Sequence, residues 1–517
     1  MNWKKVNDLY NIWVSENNLK EYFSQKLNYN DYSLWWSTKL VGKDNMADNN
    51  WYFDLFKILN KKKIKKRNKI FFWLIFLLKT IKNFVKDLAL IVFSKLFFIY
   101  TDDISKCENC FHSYYYNFVH KKNTCRDRLY EDVPYIQNKE KNFYIISLQK
   151  ISKINLKKIN LKYLILEKHL TIYQLLDIYF KTLINLIKLI YFLNSKRNFF
   201  YINGVNCENI LKPLLFESFS GFIQFSLINA QSINNILKKN KNLKNFISYG
   251  EFTPGYRSIY FFIKKINMNI KITSIQHGNF NENILYCLNH KSEFSNDYTK
   301  HGKIFSPMPD QMMLKGKQAK DVLKKYFRGK IKIIGSISDN DIRTYKKSKT
   351  KKNSKKKIIL ICPSIGDHIL IEKFFEKSKN CKNLHNTYII SPHPVYRKKV
   401  IKSFKRKLED KMDIQVRDEY SSFDLIKYSD LVICSFSSLA LKAKIMGKKS
   451  IRLVDNDYPI FHSPKDQVLV IKDSISFDRA LNFKSLPNDD TKTIKKLYSL
   501  FYYKNDKNVY TRFWKSL

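Results

Sequence analysis

The sequence predicts an α/β protein. Two doubly wound domains face each other across a cleft, and a mostly helical region precedes them. Three observations predict this. Short apolar runs of strand length alternate with helical stretches from residue 142 to residue 336. A lysine-rich run without apolar residues, RTYKKSKTKKNSKKK at 343–357, breaks the pattern and reads as a linker. Alternation then restarts and gives five further strands with helices between them. The expected boundaries are 1–135 for the helical region, 136–342 for the first α/β domain, 343–357 for the linker, 358–485 for the second domain and 486–517 for a helical tail.

Residues 1–135 read as helices with irregular joints. Within them KKKIKKRNK (61–69) leads into IFFWLIFLL (70–78), then Lys79 and Lys82, and LALIVFSKLFFIY (88–100) is interrupted by Lys95. An apolar run this short cannot cross about 30 Å of hydrocarbon as a helix. It suits a helix lying in the headgroup plane of an anionic leaflet, or a buried helix pair beside a solvated basic linker. The opening MNWKKVNDLYNIW lacks the apolar core of a cleavable signal.

In the first α/β domain the expected strands are NFYIISL (142–148), YLILE (163–167), KNFISYG (244–250), IKITSIQ (270–276), GKIFSPM (302–308) and GKIKIIGS (329–336). The helical run at 172–193, IYQLLDIYFKTLINLIKLIYFL, is apolar all round and reads as buried. In the second domain the strands are KIILICP (357–363), NTYIISP (386–392), MDIQVR (412–417), DLVICS (430–435) and KSIRLVD (449–455). Helices separate them, and the helix at 437–447 closes on Gly447 as a C-cap.

The net charge of +49 looks at first like a nucleic-acid signature. However, only 13 of the 94 basic residues are arginine, and the lysines are spread along the whole chain. Lys, Asn, Ile, Tyr and Phe are abundant together while Gly and Pro are scarce, the mark of an AT-rich genome. That excludes a dedicated nucleic-acid reader but favours anionic partners such as nucleotides, phospholipid heads and acidic glycans. Cys107 and Cys110 form one CxxC near His112 and Cys125, with no second CxxC. The eight scattered cysteines therefore read as unpaired thiols of a reducing cytoplasm.

Four places carry candidate chemistry. Ser391-Pro392-His393-Pro394 follows a strand directly, so its side chains emerge at the edge that faces the ligand crevice in open α/β sheets. The prolines stiffen the turn, and an imidazole held there can donate to a phosphate oxygen or protonate a leaving phosphate. Ser435-Phe436-Ser437-Ser438 starts a helix, where hydroxyls and backbone N–H groups suit an anion; a plain serine N-cap explains it equally. Pro363-Ser364-Ile365-Gly366-Asp367 is the first strand-to-helix turn of the second domain, with one glycine for close approach. In the first domain Glu251 follows one strand end and Gln276-His277-Gly278 another, with Arg257 between them in sequence. These are expected to present a carboxylate, a guanidinium and an imidazole to one cleft. Asp339/Asp341 and Asp455/Asp457 are DxD only in text and read as turn residues.

The strand-end HP followed some 40 residues later by a strand-end SS resembles the phosphate-binding motifs of bacterial sialyltransferases and related transferases that use CMP-activated sugars. The upstream E…P.YR…IQHG, SPMPD…KG…VL and IKIIGS are similar to bacterial capsule and O-antigen transferases, and more distantly to glycerophosphotransferases of teichoic acid synthesis. The resemblance spans residues 240–455. It implies the GT-B fold and a cytoplasmic glycosyltransferase, peripheral on the inner face of the bacterial plasma membrane, acting on a surface glycan or lipid-linked acceptor. It implies His393 and Ser437 or Ser438 on the donor nucleotide phosphate; Ser364, Gly366, Pro394 and Arg397, from the neighbouring strand-end turns, are expected with them as nucleotide-binding residues. Catalysis would fall to Glu251, His277 and His393, and the acceptor side to Arg257 and Gln276. SYGEF departs from the acidic-pair-glycine motif in which the sialyltransferases carry their base. No metal and no cofactor beyond the nucleotide sugar are expected. The rival enzyme reading is a polymerase using a CDP-alcohol. The rival outside enzymes is a nucleic-acid- or glycan-binding protein on the same scaffold.

Overall fold

The structure is a computed structural model. It describes residues 3–43, 51–61, 69–98, 102–121, 124–149, 159–196, 198–278, 280–295, 297–337, 356–364, 366–382, 385–393, 397–417, 422–455, 462–483, 486–503 and 509–517. Pro394, Asp339, Asp341, Asp457 and the linker up to residue 355 lie outside the described residues.

Two parallel sheets carry the chain, as expected. The first contains β1 (Asn109–Tyr114), β2 (Asn142–Ser147), β3 (Lys162–Ile165), β4 (Asn245–Ser248), β5 (Lys271–Ile275), β6 (Gln311–Leu314) and β7 (Lys330–Ile333). Their order is β7-β6-β5-β4-β1-β2-β3. The second contains β8 (Lys357–Ile361), β9 (Asn386–Ile390), β10 (Ile414–Gln415), β11 (Leu431–Cys434), β12 (Lys449–Leu453) and β13 (Leu469–Ile471), in the order β10-β9-β8-β11-β12-β13. In each sheet the chain starts in the middle, builds outward on one side, then crosses to the other. The crossing leaves a switch point between β1 and β4 and another between β8 and β11. Ligands bind outside the carboxyl ends of the strands at such points.

Both faces of each sheet are covered, which is why the strands read as near-continuous apolar runs. Ile359 and Ile361 point into one core with Leu370 and Phe375, while Leu360 and Cys362 point into another with Leu441 and Leu497. The first sheet divides in the same way, Phe143 and Ile145 on one side, Tyr144 and Ile146 on the other.

Several expectations need correction. An inner strand of the first sheet, β1 at 109–114 between β4 and β2, lies inside the span expected to be helical, so the α/β fold begins well before residue 136. GKIFSPM is not a strand: the backbone N–H groups of Lys303, Ile304 and Phe305 all turn back onto Lys300 O. The strand beside β5 is supplied by QMML at 311–314 instead, with β7 at the edge beyond it. The apolar stretch at 70–78 and residues 88–97 of the second belong to one 29-residue helix, Lys69–Phe97. The helix Ile172–Asn194 is not buried all round; Tyr173, Phe180 and Tyr191 on it are 79, 64 and 74% exposed.

The tail returns from the second domain to the first. Helix Thr491–Tyr502 contributes Leu497 and Phe501 to a core of the second sheet, and Phe501 also backs Gly316 of the first domain. Helix Val509–Ser516 then packs Phe513 against Phe111, and its Trp514 Nε1–H donates to Val133 O at 3.1 Å.

Candidate active site

The second switch point is built by three loops that are stitched together. After β8, Gly366 adopts φ +82°, a left-handed conformation that favours glycine. This brings Asp367 back under the sheet edge. Its carboxylate is fully buried and accepts from the Ser364 N–H at 2.6 Å and from the Phe436 N–H, in the loop after β11, at 2.9 Å. Burial pushes its pKa up to about 7, opposed by those two N–H groups and by the nearby Arg452 charge. The loop after β9 joins through the His393 N–H, which donates to Pro363 O at 3.0 Å. Arg452 holds the loop after β11 from below: Nη1–H donates to Ser435 O at 2.9 Å and Ser437 O at 2.8 Å, and Nη2 pairs with Asp466 at 2.9 Å. Ser364, His393 and the Ser437–Ser438 pair are thereby brought to one edge, all half-buried. Ser438 caps a helix of only seven residues without a side-chain cap bond, and the Leu439 N–H donates to Ser437 Oγ at 3.3 Å. Arg397 begins the helix Arg397–Leu408, three residues beyond Pro394.

The first switch point supplies an acid. Gly250 lies flat against the Tyr256 ring, where a Cβ would sit 1.9 Å from a ring carbon, and Glu251 follows with φ +49°. The Glu251 N–H donates to Ser274 Oγ at 2.9 Å, and the His277 N–H donates to Glu251 Oε1 at 2.6 Å. The Glu251 carboxyl is thus fixed at the ends of β4 and β5. Burial raises its pKa to about 7 against the His277 N–H, the Tyr286 hydroxyl, the Gly278 N–H and the Lys315 charge. A carboxyl balanced near neutrality suits proton transfer. His277 is exposed beside it and meets the Tyr249 ring edge-on at 6.3 Å.

The other two residues expected on this edge do structural work. Gln276 is buried; its Nε2–H donates to Gly278 O at 2.6 Å and its Oε1 accepts from the Lys315 N–H at 2.8 Å, locking β5 to β6. Arg257 points into the interior and does not line a cleft. Its guanidinium donates to Phe252 O, Ser306 Oγ and Asn289 Oδ1 and covers the Trp36 ring at 5.6 Å. Glu293, whose burial alone would raise its pKa, is held below its ordinary value by Lys43, Arg257 and Lys20.

The two carboxyl edges face each other. Phe436, after β11, packs against the core of the first domain, and the Asn283 amide, after β5, reaches His462 O, after β12, at 3.4 Å. Across the same gap Arg128 of the first domain approaches His393. Burial, then the Arg128 charge, lowers the His393 pKa, leaving a neutral imidazole at pH 7. Sequence reasoning missed Arg128. It sits just after a hairpin (118–121 with 124–127), where buried Asp127 accepts from the N–H groups of Leu129 and Tyr130, and the Tyr130 hydroxyl donates to His112 O and Ile247 O across the switch point. The signal was present as Asp-Arg after a turn, but only the fold shows that β1 is an inner strand.

Other candidates fall away. His112 lies in the core with Nδ1 2.6 Å from the Tyr256 hydroxyl, and Cys107, Cys110 and Cys125 are buried free thiols. Among the described residues no group of three or more His, Cys, Asp or Glu side chains is placed to hold a metal. Asp455 pairs with Lys373 at 2.9 Å. A cavity of about 190 Å³ lies between Lys264, Lys265 and Tyr298 toward the C-terminal end of the helix Pro254–Ile266; neither Glu251 nor His277 lines it.

No protein-family model matches the sequence, and no curated protein does. Among solved structures, the wall teichoic acid polymerase TagF is 12% identical over 87% of this chain and 97% of its own, with a TM-score of 0.41. The UDP-GlcNAc 2-epimerase from Neisseria meningitidis is 13% identical over 79% of this chain and 98% of its own, with a TM-score of 0.43. The S. aureus MnaA–UDP structure is 13% identical over 79% of this chain and 94% of its own, with a TM-score of 0.41. Likeness at this level decides nothing about chemistry; the two-sheet fold stands on the strand order and facing edges of this chain.

Proposed function

We propose that the protein is a glycosyltransferase that moves a sugar from a nucleotide-activated donor, CMP-linked in the first instance, to a glycan or lipid-linked acceptor. One observation carries the reading. Two switch points face each other, one with a carboxyl poised near neutrality and the other with an imidazole and hydroxyls at a stitched sheet edge. Departure of the donor phosphate builds negative charge. The neutral His393 donates one N–H to it, the hydroxyls of Ser437 and Ser438 add donors, Arg397 supplies positive charge from the same domain and Arg128 from across the gap. Glu251, ionised above about pH 7, takes the proton of the acceptor hydroxyl, with His277 beside it to orient that hydroxyl.

The test is a thermal-shift panel of CMP, CDP, UDP, GDP and dTDP, followed by incubation with CMP-sugars and with CDP-glycerol and measurement of released CMP. A matched nucleotide at a hundredfold excess over its Kd stabilises the protein by about 2.7 kcal/mol, several degrees in Tm. Release from CDP-glycerol alone would replace the sugar donor with a CDP-alcohol. His393→Ala, at a half-buried position, is expected to fold normally and lose about 100-fold or more in turnover. Full activity and full nucleotide affinity in that variant would remove the assignment.

A further inference from the structure

The helices Lys69–Phe97 and Ile172–Asn194 each carry two apolar faces, and the fold uses only one of each. On the first, Phe72 and Phe76 pack against the core, and Leu90 and Ile91 are buried. Its opposite face presents Leu74, Leu78, Ile81, Val85, Val92 and Leu96, each 40–63% exposed and spaced as one helical stripe. On the second, Leu175, Ile178, Leu186 and Leu189 are buried, and the outer stripe is Tyr173, Leu176, Phe180, Leu183, Ile187 and Tyr191. Among the described residues 29 large apolar side chains are exposed, and 18 of them lie on these two helices.

The stripes face the same way. The helices run antiparallel, because Lys168 Nζ, just ahead of the start of the second, donates to Phe98 O at the end of the first at 2.6 Å. They touch where Phe84 meets Tyr179, ring centroids 5.1 Å apart, and where the Tyr179 hydroxyl donates to Asp87 at 2.8 Å. Phe84 and Tyr179 each precede a stripe residue, Val85 and Phe180, by one position, about 100° of rotation. In an antiparallel pair, equal offsets of the same sense put both stripes on one side. The result is a single apolar face about 40 Å long, larger than a soluble monomer usually leaves open.

Its rim is cationic. Lys79, Lys82, Lys86, Lys95 and Lys188 are exposed on these helices, while the acids are engaged: Asp87 with Tyr179, and Asp177 with Lys181 at 3.0 Å. In sequence, residues 61–69, which lead into the first helix, hold seven basic residues. No helix among the described residues is long and apolar enough to cross a membrane. A second copy docked here would set lysines against lysines, whereas an anionic bilayer matches both the stripes and the rim.

We propose that these two helices form one face on which the protein lies flat on an anionic bilayer, stripes in the acyl boundary and lysines at the lipid phosphates. The Thr171 end of the second helix follows β3 at the carboxyl edge of the first sheet, so, if the reading of that edge as a transferase site holds, the bilayer abuts the acceptor side.

The test uses the full chain and vesicles of phosphatidylcholine alone or with about 30% phosphatidylglycerol. Since the eight natural cysteines are buried, Leu78→Cys, Phe180→Cys and, on the second domain, Ile475→Cys can each carry an environment-sensitive dye. The protein is expected to partition onto the anionic vesicles at least tenfold better than onto the neutral ones, with blue shifts at 78 and 180 and none at 475. Leu78→Glu with Phe180→Glu, both at exposed positions, should lower partitioning at least tenfold with an unchanged unfolding transition. No partitioning onto anionic vesicles, a shift on one helix only, or a dimer that buries both dyes without lipid would each overturn the proposal. None of these readouts uses a nucleotide donor, so they fail independently of the active-site reading.

Discussion

Asp367→Asn isolates the stitch that holds the second switch point together. In the folded protein this carboxyl has a pKa of about 7 because it is buried, against an ordinary 3.8. That difference favours the neutral form in the fold by about 4 kcal/mol. Between those two pH values the folded chain binds more protons than the unfolded chain. The contribution of Asp367 to stability is therefore fully present below about pH 3.8 and is lost as pH rises through about 7. From pH 5 to pH 7.5 the loss is about 2.5 kcal/mol. The amide of the variant does not titrate. It keeps one acceptor oxygen, so one of the two N–H groups, Ser364 or Phe436, must face an NH₂ at a cost of about 1–3 kcal/mol. The variant should thus be less stable than the parent by about 1–3 kcal/mol at pH 5, and as stable or more so at pH 7.5. Urea unfolding followed by circular dichroism at both pH values measures this. Glu251 and Asp127, whose pKa values are raised in the same direction, are present in both proteins and cancel in the difference. A deficit that stays constant between the two pH values would refute the argument, because the carboxylate would then be ionised throughout.

Three further outcomes follow from the geometry. Glu251→Gln should lower kcat by about 10²–10⁴ and abolish the limb of the pH–rate profile that rises through about pH 7; a variant that keeps the limb assigns the base elsewhere. Arg452→Ala leaves Asp466 buried without its partner and should cost about 3–5 kcal/mol in thermal unfolding, while Arg452→Met with Asp466→Leu should recover most of it. Gly316→Ala would place a Cβ 2.4 Å from the Phe501 carbonyl carbon, so the tail helix must move; faster protease cleavage within 486–517 is expected, and an unchanged digestion pattern would show that the tail does not clamp the domains there.

The second domain was legible because its signals are local. Four of its five expected strands are apolar runs buried on both faces along at least part of their length, the edge strand β10 being the exception, and the HP, SS and PSIGD segments sit within a few residues of a strand end. Only β13 was missed, three residues within a short apolar run, VLVI at 468–471, bounded by Gln467 and Lys472. The first domain was harder. β1 reads NCFHSY, with Asn109, His112 and Ser113 buried among aromatic residues and hydrogen-bonded there, so polarity hid an inner strand. Arg257 illustrates the opposite error. Its chemistry suited a cleft, but the residues that satisfy it, Asn289 and Ser306, lie 32 and 49 residues away in irregular chain that no periodicity reveals. Arg128 was invisible for the same reason, since its importance comes from the influence of its charge on residue 393.

These errors share a cause that also bears on how the site is held. Each sheet has its own cores, and what joins them is a few edge loops and the returning tail. Packing fixes each edge separately: Asp367 and Arg452 on one side, Glu251 and Tyr130 on the other, all through bonds between elements distant in sequence. Buried charges are costly unless paired, so both edges place their ionisable groups where backbone N–H groups and carbonyls already point, which is at strand ends. The half-buried His393 and the exposed His277 then stand at the rim of that scaffold, more open to solvent than the groups beneath them. A local pattern in the sequence can therefore mark such a residue, while the supports that give it a role appear only when the whole sheet is in place.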